Sequence, residues 1–193
     1  MSEHPGNLSD RPDHEQKDHA KHERRMYLRF GAMILTSTVV MFVLTYTNVF
    51  AFAHIRFSEE RLYMALLMGS AMAIVMLSFM WGMYKNVKVN LAIYAGALAL
   101  GLTAFGLSQS QALVQDTAYM KGMIPHHSIA ILTSERADIA DVRVRQLADA
   151  IIGAQRKEIK EMDWLVEDIA ENGLATTQAE ADERPVPDFE GSP

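Results

Sequence analysis

Apolar residues are concentrated along this chain in three long uncharged runs, with polar residues before, between and after them. Phe30 to Ala53 is 24 residues without a charge, Leu62 to Tyr84 is 23 and Val89 to Gln115 is 27. At ~1.5 Å per residue each can cross a hydrocarbon core of ~30 Å, so three transmembrane helices are predicted. The third run turns polar at Ser108-Gln109-Ser110-Gln111, and its continuously apolar part, Leu91 to Leu107, is near the short limit for a span. The first run ends in Ala51-Phe52-Ala53, which has the form of a cleavage site. Its apolar stretch nevertheless exceeds the ~7–15 residues of a signal peptide, so it reads as a span.

Beyond the third run the period changes. Val142, Leu147, Ile151, Ile152, Ile159, Met162, Leu165 and Ile169 recur at spacings of three and four, behind an Asp and ahead of Asn172-Gly173. This pattern predicts two amphipathic helices, about Asp116 to Asp138 and Asp141 to Asn172, folded into a hairpin. Residues 1–25 hold almost nothing apolar, and residues 173–193 are acidic with three prolines; neither can bury enough surface to offset the entropy of ordering. The expected division is a disordered tail over 1–25, a three-helix membrane domain over 26–110, a helical domain over 111–172 and a disordered acidic tail over 173–193. The fold class is all-α.

Charge sets orientation and excludes some functions. The net charge is −6 and no stretch is basic enough for nucleic acid. Lys21, Arg24, Arg25 and Arg29 precede the first span, and Lys85 and Lys88 lie between the second and third. Basic residues favour the cytoplasmic side, so the N-terminus is expected inside and the C-terminal domain outside a bacterial cytoplasmic membrane. The chain has no Cys, which removes disulfides and thiolate metal sites, but it has 13 Met.

One segment crowds unusual residues together: Met120-Lys121-Gly122-Met123-Ile124-Pro125-His126-His127. On a helix Met120, Met123 and His127 share a face, while His126 and His127 point to different faces. Pro125 must start the helix or kink it. If the hairpin turns near Ile139 or Ala140, Met162 comes level with Met120. Gln155 and Glu158 then share the Met162 face and can steady a histidine ring. Thioether with imidazole selects Cu(I) over Mg²⁺ or Ca²⁺, and no Glu-x-x-His pairs of a di-iron bundle are present.

Met123-Ile124-Pro125-His126-His127-Ser128-Ile129-Ala130, followed by Ala154-Gln155-Arg156-Lys157-Glu158-Ile159-Lys160-Glu161-Met162-Asp163-Trp164-Leu165, is similar to domain-of-unknown-function family 305. The resemblance covers roughly residues 115–170. It implies a ferritin-like helical bundle and copper binding on the periplasmic side through His126, His127, Met120, Met123 and Met162, with Gln155 and Glu158 behind them. Longer members of that family carry the His-His block twice and this chain carries it once. The implied four-helix bundle would then be completed by a homodimer, which would also cover Ile129, Ile131, Ile152, Ile159 and Leu165.

Several readings compete. Met64, Met68, Met72, Met76 and Met80 recur every four residues along the second span, which suits a packing ridge better than a transit ladder. Ala65, Gly69 and Ala73 form a small-residue stripe for close helix contact. His4, His14, His19 and His22 read as part of a solvated tail. No nucleophile–base pair is visible, so the chain is not expected to be an enzyme. The preferred function is a membrane-anchored protein holding Cu(I) to buffer, relay or resist copper, with a metal-transfer partner left open. The alternatives are a docking or structural module without metal, and a Cu(I)-oxidising enzyme. The expected topology is checked by reporter fusions: a reporter after Gly173 should be active only outside the cytoplasm, and cytoplasmic activity there would reverse the orientation.

Overall fold

The structure, a computed structural model, describes residues 11–191, with side chains from His19 onward. His4 and the side chain of His14 lie outside the described residues. The elements are α1 (Arg11–Leu44), a single 3₁₀ turn (Phe52–His54), α2 (Glu59–Phe79), α3 (Val87–Ser110), α4 (Asp116–Arg136), α5 (Val142–Asn172) and the short α6 (Gln178–Glu183). No strand occurs among the described residues. Stretches of α1, α2 and α3 are long and apolar enough to cross a membrane: His19–Leu44, Glu59–Phe79 and Val87–Ser110. Leu35, Val39, Leu91, Leu98 and Leu102 on these helices are exposed within the chain, as lipid-facing side chains are. This is a membrane protein.

The first span differs from its expected bounds. The uncharged run extends to Ala53, but the helix ends at Leu44 and draws its N-terminal half from the polar segment before Phe30. Residues 11–25, expected to be disordered, are therefore helical, since a long helix propagates into a flank that could not nucleate one alone. The stop comes from Thr45 and Thr47, whose hydroxyls donate to the carbonyls of Phe42 and Leu44 at 2.7 and 2.8 Å. Thr45 to Ala53 is left as a connection outside the helix. At the end of α3, Gln111 adopts a left-handed conformation (φ 51°), which a polar side chain tolerates better than a β-branched one, and closes the helix four residues before the apolar run ends.

Two compact units divide the chain. One comprises the chain up to Val40 with Ala65–Ala104; the other comprises Met41–Met64 with Phe105 onward. In the first unit, Phe30 packs edge-on against Tyr84 at 5.4 Å, and Leu77 completes their buried cluster. Asn90 is wholly buried there; its amide donates to the Tyr84 carbonyl at 2.7 Å and its Oδ1 accepts from Tyr27 Oη at 2.8 Å. A buried amide without such partners would be costly, so these bonds pin the start of α3. Met76 and Met80 pack against the same cluster. Within the small-residue stripe Ala65 and Ala73 are buried, and a Cβ on Gly69 would lie 2.5 Å from Thr38 Oγ1. The stripe is thus occupied inside the chain rather than left for a second copy.

The second unit is built on the α4–α5 hairpin, whose seam buries Met120, Ile124, Ile131, Ile159 and Met162. Asp141 caps α5 by accepting from the Arg143 amide at 2.9 Å. Gly173 ends α5 at φ 79°, a conformation that costs glycine nothing, and its amide donates to the Ile169 carbonyl. The acidic tail, expected to be disordered, contains α6 with a Thr177–Glu180 capping box and then folds back along α5. Arg184 meets Asp168 at 2.6 Å, Asp188 meets Lys157 at 2.8 Å, and Lys160 donates to the Glu190 carbonyl at 2.9 Å.

Thr38 is the neighbour that makes Gly69 necessary, because its Oγ1 is held against the Ile34 carbonyl at 2.8 Å and cannot swing away cheaply. Gly69→Ala should destabilise the first unit by about 1–3 kcal/mol, the usual range for overpacking. Adding Thr38→Ala should restore most of the loss. Denaturation of the purified protein in detergent checks both, and equal stability of Gly69→Ala and wild type would refute the close approach.

Candidate metal centre

The segment that stands out in the sequence becomes the middle of α4, which runs unbroken through Pro125. Pro125 neither starts the helix nor ends it. It lacks an N–H, so the Lys121 carbonyl loses its helical donor, a cost met by burying the ring completely. Successive helical residues lie ~100° apart, and the three residues after the proline therefore address three different neighbours.

His127 faces α5. The ring is buried, its Nδ1 lies 2.9 Å from the Met123 carbonyl and its Nε2 lies 2.6 Å from Glu158 Oε2. A carbonyl can only accept, so Nδ1 carries a proton and donates. This fixes the ring's orientation and turns Nε2 toward the seam. A proton between Nε2 and Glu158 occupies the lone pair with which imidazole binds a metal ion. In the same seam Met120 and Met162 are buried together and Met123 packs against them. Gln155 is half-buried on α5.

Ser128 faces the connection between α1 and α2 and is wholly buried. Its Oγ accepts from the Phe50 amide at 2.8 Å and lies 2.9 Å from His54 Nδ1. Arg56 of the same connection meets Asp163 of α5 at 3.3 Å. The connection covers Ile131 and Ile159, which line a cavity of about 310 Å³ with Phe50, Ala51 and His54. Two of the side chains expected to need a second copy as cover are thus covered from within the chain. Burial holds His54 below the ordinary imidazole range; Arg56 pushes the same way, while Asp163 opposes.

His126 is exposed and takes a third direction, with its ring centroid 6.2 Å from that of His127. It lines a separate cleft of about 260 Å³ with Met123, Tyr119, Glu59 and Glu60. Gly122 permits the approach of this wall, since a Cβ there would already touch Ser58 Oγ at 3.3 Å. The structure therefore splits the expected ligand set. His127, Met120, Met123 and Met162 share the seam, and His126 does not join them.

No three His, Asp or Glu side chains come together among the described residues. What the seam offers is one oriented imidazole and three thioethers, a set for a soft ion. Sequence reasoning missed His54 and Ser128. Nothing in the local pattern marks them, because their contact joins residues 74 apart in the chain.

Fold and site together define a helical membrane protein carrying a His- and Met-bearing hairpin. Residues 107–189 match the family described as Domain of unknown function (DUF305). A relative from Acanthamoeba polyphaga mimivirus, "Uncharacterized protein L153", is 31% identical over 145 residues, which cover 72% of this chain and 93% of the relative. The chain belongs to the DUF305 family. The match reaches past the quoted blocks to include Arg184 and Asp188, the tail residues that fold back on α5. No solved structure matches the chain.

The lowered His54 titration sets the sign of a pH effect. The unfolded ring, near pKa 6.5, takes up a proton that the folded ring resists, so the tie is intact above about pH 6.5 and weakens as pH falls below it. Hydrogen-exchange protection of the Phe50 amide should drop between pH 7.5 and 5.5 by more than in a His54→Gln variant. Ser128→Ala should lower that protection at both pH values. A pH response identical in wild type and His54→Gln would rule His54 out as its source.

Proposed function

We propose that this protein is a membrane-anchored copper-binding protein whose hairpin holds Cu(I) outside a bacterial cytoplasmic membrane for buffering, relay or resistance. The observation that carries the reading is the seam of α4 and α5. A buried imidazole is oriented there by a main-chain carbonyl, as metal-ligating histidines commonly are, beside three methionines in the same apolar cluster. His127, Met120, Met123 and Met162 would hold the ion, with Glu158 taking up or releasing the displaced proton. Thioethers favour the monovalent state, and burial excludes water from the ion. His126, in the cleft beside Met123, is suited to a first contact with the incoming ion rather than to the buried set. A homodimer, if formed, would bring two such hairpins together.

The His127–Glu158 contact favours one other reading, in which the pair is a buried lock of a docking module without metal. Titration of the detergent-solubilised protein with Ag(I) separates the two. The copper reading expects tight Ag(I) binding with none for Mg²⁺ or Ca²⁺, one fewer tightly bound silver per chain in His126→Ala/His127→Ala, and weakening of that same silver by at least about tenfold in Met123→Leu. Glu158→Gln should lower stability yet retain silver, because it removes the competing proton site and no thioether. Silver affinity untouched by the His and Met changes would leave the lock as the role of these residues.

A further inference from the structure

We propose a second soft-metal site on the three-span unit, formed by His19, His22 and Met26 of α1 with Met83 of the α2–α3 turn, which takes monovalent copper or silver. The site lies outside the stretch matched by the family and is independent of the hairpin reading.

Because α1 begins at Arg11, residues 19, 22, 23 and 26 are part of a regular helix. Their spacings of three, four and seven place them on one face. Lys21, Arg24 and Arg25 fall on other faces at ~100° per residue, so the basic residues of this segment are turned off the donor face. The side chains of His19, His22, Glu23 and Met26 line a cavity of about 310 Å³ together with Met83 and Lys85.

Met83 is brought there by a tight turn in which its amide donates to the Met80 carbonyl at 2.9 Å. The next residue, Tyr84, is buried against Phe30 and Tyr27 of α1, so the turn is fixed to the helix that carries the histidines. Met83 itself remains 56% exposed, unlike Met76 and Met80 before it, which pack against the Phe30, Leu77 and Tyr84 cluster. Its thioether therefore stays accessible at the cavity that the two imidazoles line.

The composition of the cavity selects the ion. Two imidazoles and two thioethers suit a soft cation, and His19, His22 and Glu23 do not converge as a three-group site for a harder one. Glu23 offsets Lys85, which leaves the cavity near neutral and better suited to a monovalent than to a divalent ion.

The test uses the full chain in detergent in a His126→Ala/His127→Ala/Met123→Leu background, titrated with Ag(I) and separately with Zn(II) by calorimetry. Silver should still bind, zinc should bind far more weakly, and His19→Ala/His22→Ala should abolish the silver signal. Met83→Leu, at an exposed position that tolerates the change, should weaken silver by at least about tenfold, as even loss of an outer-shell partner commonly does. His4→Ala/His14→Ala should leave it unchanged. No silver binding in the background protein, full affinity in Met83→Leu, or loss only on changing His4 and His14 would each overturn the site, the last by assigning the silver to chelation by the preceding segment.

Discussion

The arrangement of the second unit depends on a buried imidazole with both nitrogens engaged. His127 cannot rotate without breaking a bond to its own helix at Met123 and one to α5 at Glu158. In an interior of low dielectric, breaking either leaves a polar group unpaired, which costs more than the bond contributes when made. The pair fixes the rotation of α4 about its axis, and everything else α4 carries follows from that rotation. Met120, three and seven residues before Met123 and His127, must enter the seam, and Ser128 must turn toward the connection.

This explains why two neighbouring histidines have different roles. A step of ~100° separates His126 from His127, so no helical geometry brings both into one buried site on one helix pair. The cleft around His126 carries Glu59 and Glu60 from the start of α2 in its wall, while the seam buries Met120, Ile124, Ile131, Ile159 and Met162. Met123 borders both.

The coverage of the seam also changes what assembly must supply. Two amphipathic helices alone bury too little surface to be stable, which is the physical case for a second copy. Here the connection from Thr45 to Ser58 and the folded-back tail cover much of α4 and α5, tied by Ser128, Arg56 and the ion pairs of Lys157 and Arg184. Surface ion pairs such as these contribute little individually. Their effect is to hold apolar and main-chain groups over the helices. A second copy is therefore not needed to cover Ile131 and Ile159, while Val142, Val144 and Leu147 remain exposed.

The sequence by itself determined the helical class, the three spans, the hairpin with its turn and caps, and the membership of Met120, Met123, His127 and Met162 in one face pattern. All of these depend on short-range periodicity and on composition, which a helix expresses wherever it is placed. The first helix stops short of Ala53 by a local device that apolar content does not show, the Thr45 and Thr47 hydroxyls bonding to carbonyls three residues back, whereas tertiary structure decided what covers Ile131 and Ile159. It also decided that the tail folds back and that Thr45 to Ser58 caps the hairpin, through contacts between residues far apart in the chain. The partner of Ser128 is a histidine 74 residues away, and no local pattern encodes that distance. Periodicity says which way a side chain points, whereas only the packed chain says what it meets there.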